Sequence, residues 1–388
     1  MVRASRPRVT IALTVFIAAL VGACTASPGE DPAAAPAPTV TRPAAPEGDL
    51  PEPLRVKLQA ALDQTMKEYG VPGAAVGVWI PGEGAWTTAA GLADIENDVA
   101  AGTDMTWPLR SVTKSYTVTL ILQLVDERAI SLDDTIDTYV DGVTNGDKIT
   151  LRQLADMSSG NADYTNDDFL AEFQQDPSRI FTLDELNGFV LDRPEQFPPG
   201  VKKVYTNANT NLLGAVVEKV TKRPYADVLA ERILEPLGQT NTSYLVDADS
   251  WPEPHPVGYA PGESGPQVQP DNLSIFGPAG SMITTIEDGR VWAEILATGA
   301  FLKPETQSER QQGAPLEAGP PYDLYALGMG QTDGWWGHNG EGLGFTAAVF
   351  HQPETGATVV AFMNESNVLP MAHPADQMFR RIAEILKE

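Results

Sequence analysis

Two pairs of apolar runs, one near each end of the 388-residue chain, constrain the fold more than any other feature. Ala74 to Ile80 is rich in small and β-branched residues, Pro81-Gly82-Glu83-Gly84 turns the chain, and Trp86 to Leu92 forms a second run. Near the other end, Phe345 to His351 and Thr358 to Asn364 flank Gln352-Pro353-Glu354-Thr355-Gly356. Such runs, separated by turns that carry Gly and Pro, read as β-hairpins. Ahead of the first hairpin, Leu58, Leu62, Met66 and Tyr69 recur at helical spacing, with Gly70 as a C-cap. Between the hairpins the periodicity is mainly helical, over Lys114 to Asp126, Thr150 to Met157, Thr182 to Leu191, Thr210 to Thr221, Tyr225 to Leu234 and Ile286 to Ala297. No internal repeat is visible. The pattern predicts an α/β fold: an antiparallel sheet built from both chain ends and flanked by helices, with a mainly α-helical region at about 111–280 inserted into it.

The first 53 residues have a different character. Arg3, Arg6 and Arg8 form a basic head, and Val9 to Ala23 is an apolar run of 15 residues. That is too short to span a bilayer comfortably and fits a secretory leader. Residues 1–23 are accordingly expected to be a signal peptide. Small residues precede Cys24, the one cysteine of the chain. This resembles a bacterial lipobox and makes Cys24 the expected site of lipid attachment, in preference to ordinary cleavage near Ala23. A single cysteine permits no disulfide within the chain. Residues 25–53 hold eight prolines and show no helical or strand period, so 24–53 is expected to be a Pro/Ala-rich spacer. Residues 54–388 form the expected globular domain, which places the protein outside the cytoplasm and tied to the membrane through Cys24.

Charge excludes one class of partner. The chain carries a net charge of −26, and loss of Arg3, Arg6 and Arg8 would take it to about −29. Such a surface repels nucleic acid. It also repels anionic lipid, so a membrane tie has to come from Cys24.

The chemistry points to Ser111 and Lys114, in Arg110-Ser111-Val112-Thr113-Lys114-Ser115. On a helix, residues three apart share a face, so the hydroxyl and the amine meet. A serine hydroxyl becomes a nucleophile when a base takes its proton. A lysine serves if burial or nearby positive charge lowers its pKa towards neutrality. Alone, the pair reads more readily as an N-capping serine followed by a solvated lysine. Tyr205-Thr206-Asn207 follows 94 residues on, and His338-Asn339-Gly340 another 133 residues beyond. Alone, Tyr205 and Asn207 read as a core aromatic and a helix cap.

Together, in this order, the three elements resemble the active-site motifs of the serine β-lactamase and penicillin-binding protein superfamily. The Y-x-N and H-x-G forms are similar to the branch of class C β-lactamases, D-alanyl-D-alanine carboxypeptidases and related esterases. The segments "ISLDDTIDTYV", "ITLRQLADMSSG", "FPPGVKKVYTNANTNLLGAVVEKVT" and "PAGSMITTIEDGRVW" agree, and the resemblance covers about residues 54–386. It implies a β-lactamase/transpeptidase-like fold and a serine hydrolase acting through an acyl-enzyme. The substrate would be an ester, an amide or a cell-wall peptide, and no cofactor or metal is implied.

The same resemblance implies roles. Ser111 is the expected nucleophile and Lys114 its base. Tyr205 is a second base whose phenolate or phenol relays protons between nucleophile and leaving group, as a base only if cations such as Lys114 lower its pKa. Asn207 is expected to hydrogen-bond Lys114 and the substrate's amide. His338 is expected as a proton relay or a donor to a substrate carboxylate. Asn339 and Gly340 complete the third motif, and Gly340 allows a close approach of backbone to substrate. The backbone N–H groups of Ser111 and Glu341 are the expected oxyanion hole. The other histidines, His255, His351 and His373, show no metal-ligand spacing and read as surface or core residues.

Two departures shape the expected specificity. Asn339 stands where Thr is common, and Glu341 where a small residue is usual. An inward Glu341 would oppose a substrate carboxylate by on the order of 1–4 kcal/mol at 4 Å. That disfavours β-lactams and D-Ala-D-Ala stems relative to uncharged esters and amides. Specificity is expected from loops at 160–180 and 245–275. The alternative from another class is a non-catalytic, cell-wall-binding lipoprotein of the same fold. A solute-binding lipoprotein would need two parallel α/β lobes, which the antiparallel ends oppose.

Overall fold

The computed structural model describes residues 40–366 and 373–388. The expected signal peptide 1–23, Cys24 and the spacer up to residue 39 lie outside the described residues.

An eight-stranded antiparallel sheet forms the frame. From edge to edge its strands are Val99–Ala100, Gly84–Asp94, Gly73–Ile80, Ala357–Met363, Phe345–Gln352, Trp335–Gly342, Gly330–Thr332 and Leu324–Tyr325. The two expected hairpins thus join through Gly73–Ile80 and Ala357–Met363, with Val76 opposite Ala361. The predicted fold class holds, and the reason is visible in the burial. Along Gly73–Ile80, Val76 and Val78 enter one core while Ala75 enters the other. Along Ala357–Met363, Val359 and Ala361 alternate with Val360 and Phe362 in the same way. Period-2 alternation with both faces apolar requires cover on both sides.

Two terminal helices cover one face. Glu52–Tyr69 contributes Leu58 and Leu62, and ends at Gly70, whose φ of 69° lets its N–H reach Met66 O. Pro374–Ile385, a helix absent from the expectations above, contributes Met378, Phe379 and Ile382. The Ile286–Thr298 helix packs on the other face and brings Trp292 into the larger core. Trp292 stacks on Tyr116 at 3.6 Å and donates its Nε1–H to Ser115 Oγ at 2.8 Å.

The helical region is more broken than its sequence suggests. Thr150 and Thr182 each close a capping box, with Gln153 and Glu185, on the short helices Leu151–Ala155 and Leu183–Gly188. Two further helices, Asp167–Gln175 and Pro304–Arg310, are also additional to those expected.

Within the expected spacer, residues 40–50 make contacts with the globular part. Arg42 bonds Asp288 at 2.7 Å and the carbonyls of Leu237 and Gly238 at 3.1 Å. Arg290 holds Pro43 O at 2.8 Å, and Leu50 is buried with its N–H on Ala85 O. Proline-rich composition predicts absence of periodic structure; it does not predict detachment once side chains such as Arg42 find partners.

Candidate active site

Ser111 sits in a tight turn, Arg110–Val112, that feeds the helix Thr113–Asp126. That helix is buried from Thr113 through Leu124, so Lys114 enters the protein interior rather than solvent. Lys114 Nζ lies 2.9 Å from Ser111 Oγ, 2.7 Å from Asn207 Oδ1 and 2.9 Å from Ala279 O. Two of these partners are carbonyl oxygens, which only accept. A neutral amine has two N–H donors and one lone pair. As an ammonium, Lys114 donates to all three oxygens; once it loses a proton, the two carbonyls keep both remaining donors and the lone pair is left for the Ser111 hydroxyl proton. Burial lowers the Lys114 pKa to about 7, against the opposing charge of Asp163.

Asp163 belongs to none of the three motifs. Its Oδ2 accepts from Asn207 N at 2.7 Å, Asn207 Nδ2 at 3.2 Å and Thr206 Oγ1 at 3.2 Å. The carboxylate therefore fixes which end of the Asn207 amide faces Lys114. Asn207 occupies the cap position of the helix Ala208–Thr221 without making a side-chain cap. Its amide serves Lys114 and Asp163 instead.

Tyr205 places its ring 5.0 Å from Lys114 Nζ. Burial pushes the phenol pKa up, the Ser111 hydroxyl partly offsets this, and Asp163 adds to the rise. Burial thus favours the neutral amine of Lys114 and the neutral phenol of Tyr205. Tyr205 is half-buried and lines the cleft beside Ser111.

The strand Trp335–Gly342 carries the third motif. His338 is fully buried between two tyrosines, with Nδ1 3.2 Å from Tyr322 Oη and Nε2 3.2 Å from Tyr325 Oη. Burial, aided by the charge of Lys114, lowers its pKa to about 3. His338 is therefore neutral and packs 6.1 Å from the Tyr205 ring, away from the cleft wall. The expected donation to a substrate carboxylate does not fit this position. Asn339 lines the cleft, but its amide accepts from Tyr322 Oη at 2.7 Å and donates to Asp376 at 3.1 Å.

Gly340 is where the strand meets the nucleophile. A Cβ there would lie 2.4 Å from Leu109 O and 2.9 Å from Ser111 N. Only glycine permits that approach. Glu341 follows, with Oε2 2.8 Å from His373 Nε2. His373, expected to be a surface or core residue, lines the cleft with it.

These groups border a cleft of about 740 Å³ containing Ser111, Tyr205, Asn207, Asn339, Gly340 and Glu341. Its outer wall is residues 316–322 rather than the loops at 160–180 and 245–275. Among the described residues, its lining has no Lys or Arg and includes two acids, Glu317 and Glu341. Among the described residues, no group of His, Cys, Asp and Glu is arranged to hold a metal ion. The arrangement can remove a proton from Ser111 and present its oxygen to an acyl carbon in the cleft.

Comparisons with known proteins show the family and the fold. A family model described as Beta-lactamase matches residues 58–384. The chain is 25% identical over 298 residues to Protein flp of Staphylococcus aureus (strain NCTC 8325 / PS 47), covering 74% of this chain and 57% of that protein. It is 25% identical over 257 residues to a Beta-lactamase of Lysobacter lactamgenus, covering 64% and 63% respectively. The chain thus spans about three-fifths of the length of these curated relatives. Among solved structures, a D-stereospecific amidohydrolase from Streptomyces sp. superposes with a TM-score of 0.74 at 28% identity, covering 84% of this chain and 97% of that one. The D-amino acid amidase of Ochrobactrum anthropi SV3 shares the fold, with a TM-score of 0.76 at 23% identity and coverage of 87% and 99%. On the span of the family match and the order of its motifs, the chain belongs to the Beta-lactamase family, within the serine β-lactamase and penicillin-binding protein superfamily.

Proposed function

We propose that the protein is a serine hydrolase that forms an acyl-enzyme on Ser111 and cleaves small amides or esters whose reacting end is uncharged. The observation that carries this reading is the buried Lys114 amine, with a pKa of about 7, 2.9 Å from Ser111 Oγ. A base poised near the operating pH is the efficient choice for general base catalysis. Lys114 takes the Ser111 proton as Oγ attacks the acyl carbon. The N–H groups of Ser111 and Glu341 receive the developing oxyanion, usually the largest catalytic contribution. The Tyr205 hydroxyl relays a proton to the leaving group, and water then releases the acyl chain by the reverse sequence.

The substrate class follows from the cleft. No Lys or Arg among the described lining residues is available to a substrate carboxylate, and Glu341 brings an acid into the cleft wall. This favours an amidase or esterase over a D-alanyl-D-alanine carboxypeptidase or a β-lactamase. The likeness to the D-stereospecific amidohydrolase supports the amide reading. The basic head, apolar run and lone Cys24 support a lipid-anchored enzyme outside the cytoplasm.

The test is covalent labelling with a fluorophosphonate, followed by rates on a p-nitrophenyl ester, a D-amino acid amide, nitrocefin and a D-Ala-D-Ala peptide. Ser111 should carry the label, Ser111→Ala should lower turnover at least about a thousandfold, and the first two substrates should be preferred. An unlabelled, inactive wild type would favour the non-catalytic binding module instead.

A further inference from the structure

Arg110 precedes the proposed nucleophile and has an unusual setting. Its φ is +48°, a left-handed conformation that is costly for a residue with a side chain. Its guanidinium is buried, stacked 4.4 Å from the centroid of Phe276 and 5.3 Å from that of Phe345. Its Nη1 has no hydrogen-bond partner among the described residues. The two rings and the charge of Asp271 offset part of the cost of burying this cation, but the left-handed backbone and the unbonded Nη1 remain costly, and such costs persist where the surroundings over-determine them, commonly at functional sites.

What Arg110 connects is specific. Its Nε donates to Gly342 O at 2.9 Å. Gly342 directly follows Glu341, and it opens the turn Leu343-Gly344, where φ is +39° and +80°. On its other side Arg110 shares a peptide bond with Ser111, so its backbone angles aim the Ser111 N–H. The strand is also pressed against this point, since a Cβ on Gly340 would lie 2.9 Å from both Arg110 Cβ and Ser111 N. The two proposed oxyanion donors, Ser111 N–H and Glu341 N–H, come from distant parts of the chain. Arg110 ties those two parts together beside them.

We infer that Arg110 is a positioning residue that holds the two oxyanion donors in register, through its bond to Gly342 and its left-handed link to Ser111. This rests on the serine hydrolase reading above. An oxyanion hole acts through donors fixed before the charge develops, so a displaced donor lowers the rate of the chemical step while leaving ground-state binding largely intact.

The test compares Arg110→Met with Arg110→Gly in the full chain, using p-nitrophenyl acetate and phenylboronic acid, which forms a tetrahedral adduct on serine. Active enzyme is counted by fluorophosphonate labelling. Met keeps the stem between the two phenylalanines and loses the donor; Gly relieves the left-handed backbone and folds without the strain. Both variants should lose about 10- to 100-fold in kcat with KM within about threefold. Boronate affinity should fall in the same ratio. Wild-type kcat in Arg110→Met would reduce Arg110 to packing and overturn the inference, as would a rise in KM at constant kcat. Failure of the wild type to label at Ser111 would instead remove the hydrolase reading on which the inference stands.

Discussion

His373 Nε2 lies 2.8 Å from Glu341 Oε2, so the acid one residue past the third motif is paired with a histidine on the cleft wall. Burial alone would lower the His373 pKa, but the bond and charge of Glu341, with Asp376 adding, raise it above its ordinary 6.5. Below that raised pKa the imidazolium offsets Glu341. As pH rises through it, the carboxylate loses that offsetting charge. Discrimination against carboxylate-bearing substrates should therefore grow with pH. The kcat/KM ratio of a neutral p-nitrophenyl ester to nitrocefin should climb from about pH 6 to pH 9, and high salt should reduce the climb. Taking the ratio cancels the titration of Lys114, which both substrates share. Glu341→Gly should flatten the ratio and raise nitrocefin turnover. Equal effects on both substrates, or a fall in nitrocefin turnover, would assign Glu341 a different role.

Asp163 tunes the base. Its charge raises the Lys114 pKa against burial, and its carboxylate orients Asn207. Asp163→Asn removes the charge while keeping an oxygen for the Asn207 N–H. The acid limb of kcat/KM, set by Lys114, should move to lower pH. An unmoved limb, or one shifted to higher pH, would show that Asp163 does not act on Lys114.

Parts of this site are legible in the amino-acid sequence. Ser111 and Lys114 are local, three apart on one helical face, and the distance between them follows from helix geometry. Four strands of the sheet are legible because the two hairpins carry their turns in sequence; Trp335–Gly342, which bears the third motif, and the three short strands towards the edges are not, since they lack a long apolar run. Asp163, Tyr322 and His373 are not legible, because their roles arise from contacts between distant segments. The charge states of His338 and Tyr205 escape sequence reasoning for a related reason. Their protonation depends on depth of burial, which only tertiary packing sets. The helix Pro374–Ile385 does have a signal in sequence, since Met378, Phe379 and Ile382 fall at helical spacing.

Gly340 sets how closely the third-motif strand approaches Ser111. Adding a methyl group would place it 2.4 Å from Leu109 O, a backbone atom that cannot swing away. Gly340→Ala should displace the strand and cost about a hundredfold in kcat/KM on any substrate, as misplacement by about 1 Å does. Labelling should slow in parallel. A near-wild-type rate would mean that the strand tolerates displacement and that its backbone is not part of the reacting geometry.

Cys24 is proposed as the lipid-bearing residue. Cys24→Ser should move the protein from the membrane fraction to the surrounding medium or periplasm with its hydrolytic activity intact. Unchanged retention by the membrane would locate the anchor elsewhere.

Lys114, its pKa lowered to about 7 by burial, is the base that activates Ser111. The most direct measurement is the single-turnover acylation rate with p-nitrophenyl acetate as a function of pH, in the wild type and in Lys114→Ala. The wild-type rate should rise as pH passes through about 7, where Lys114 loses its proton, and then level off. Lys114→Ala should lose that limb together with most of the rate. A wild-type rate flat from pH 5 to 9, or a limb that survives Lys114→Ala, would contradict the account.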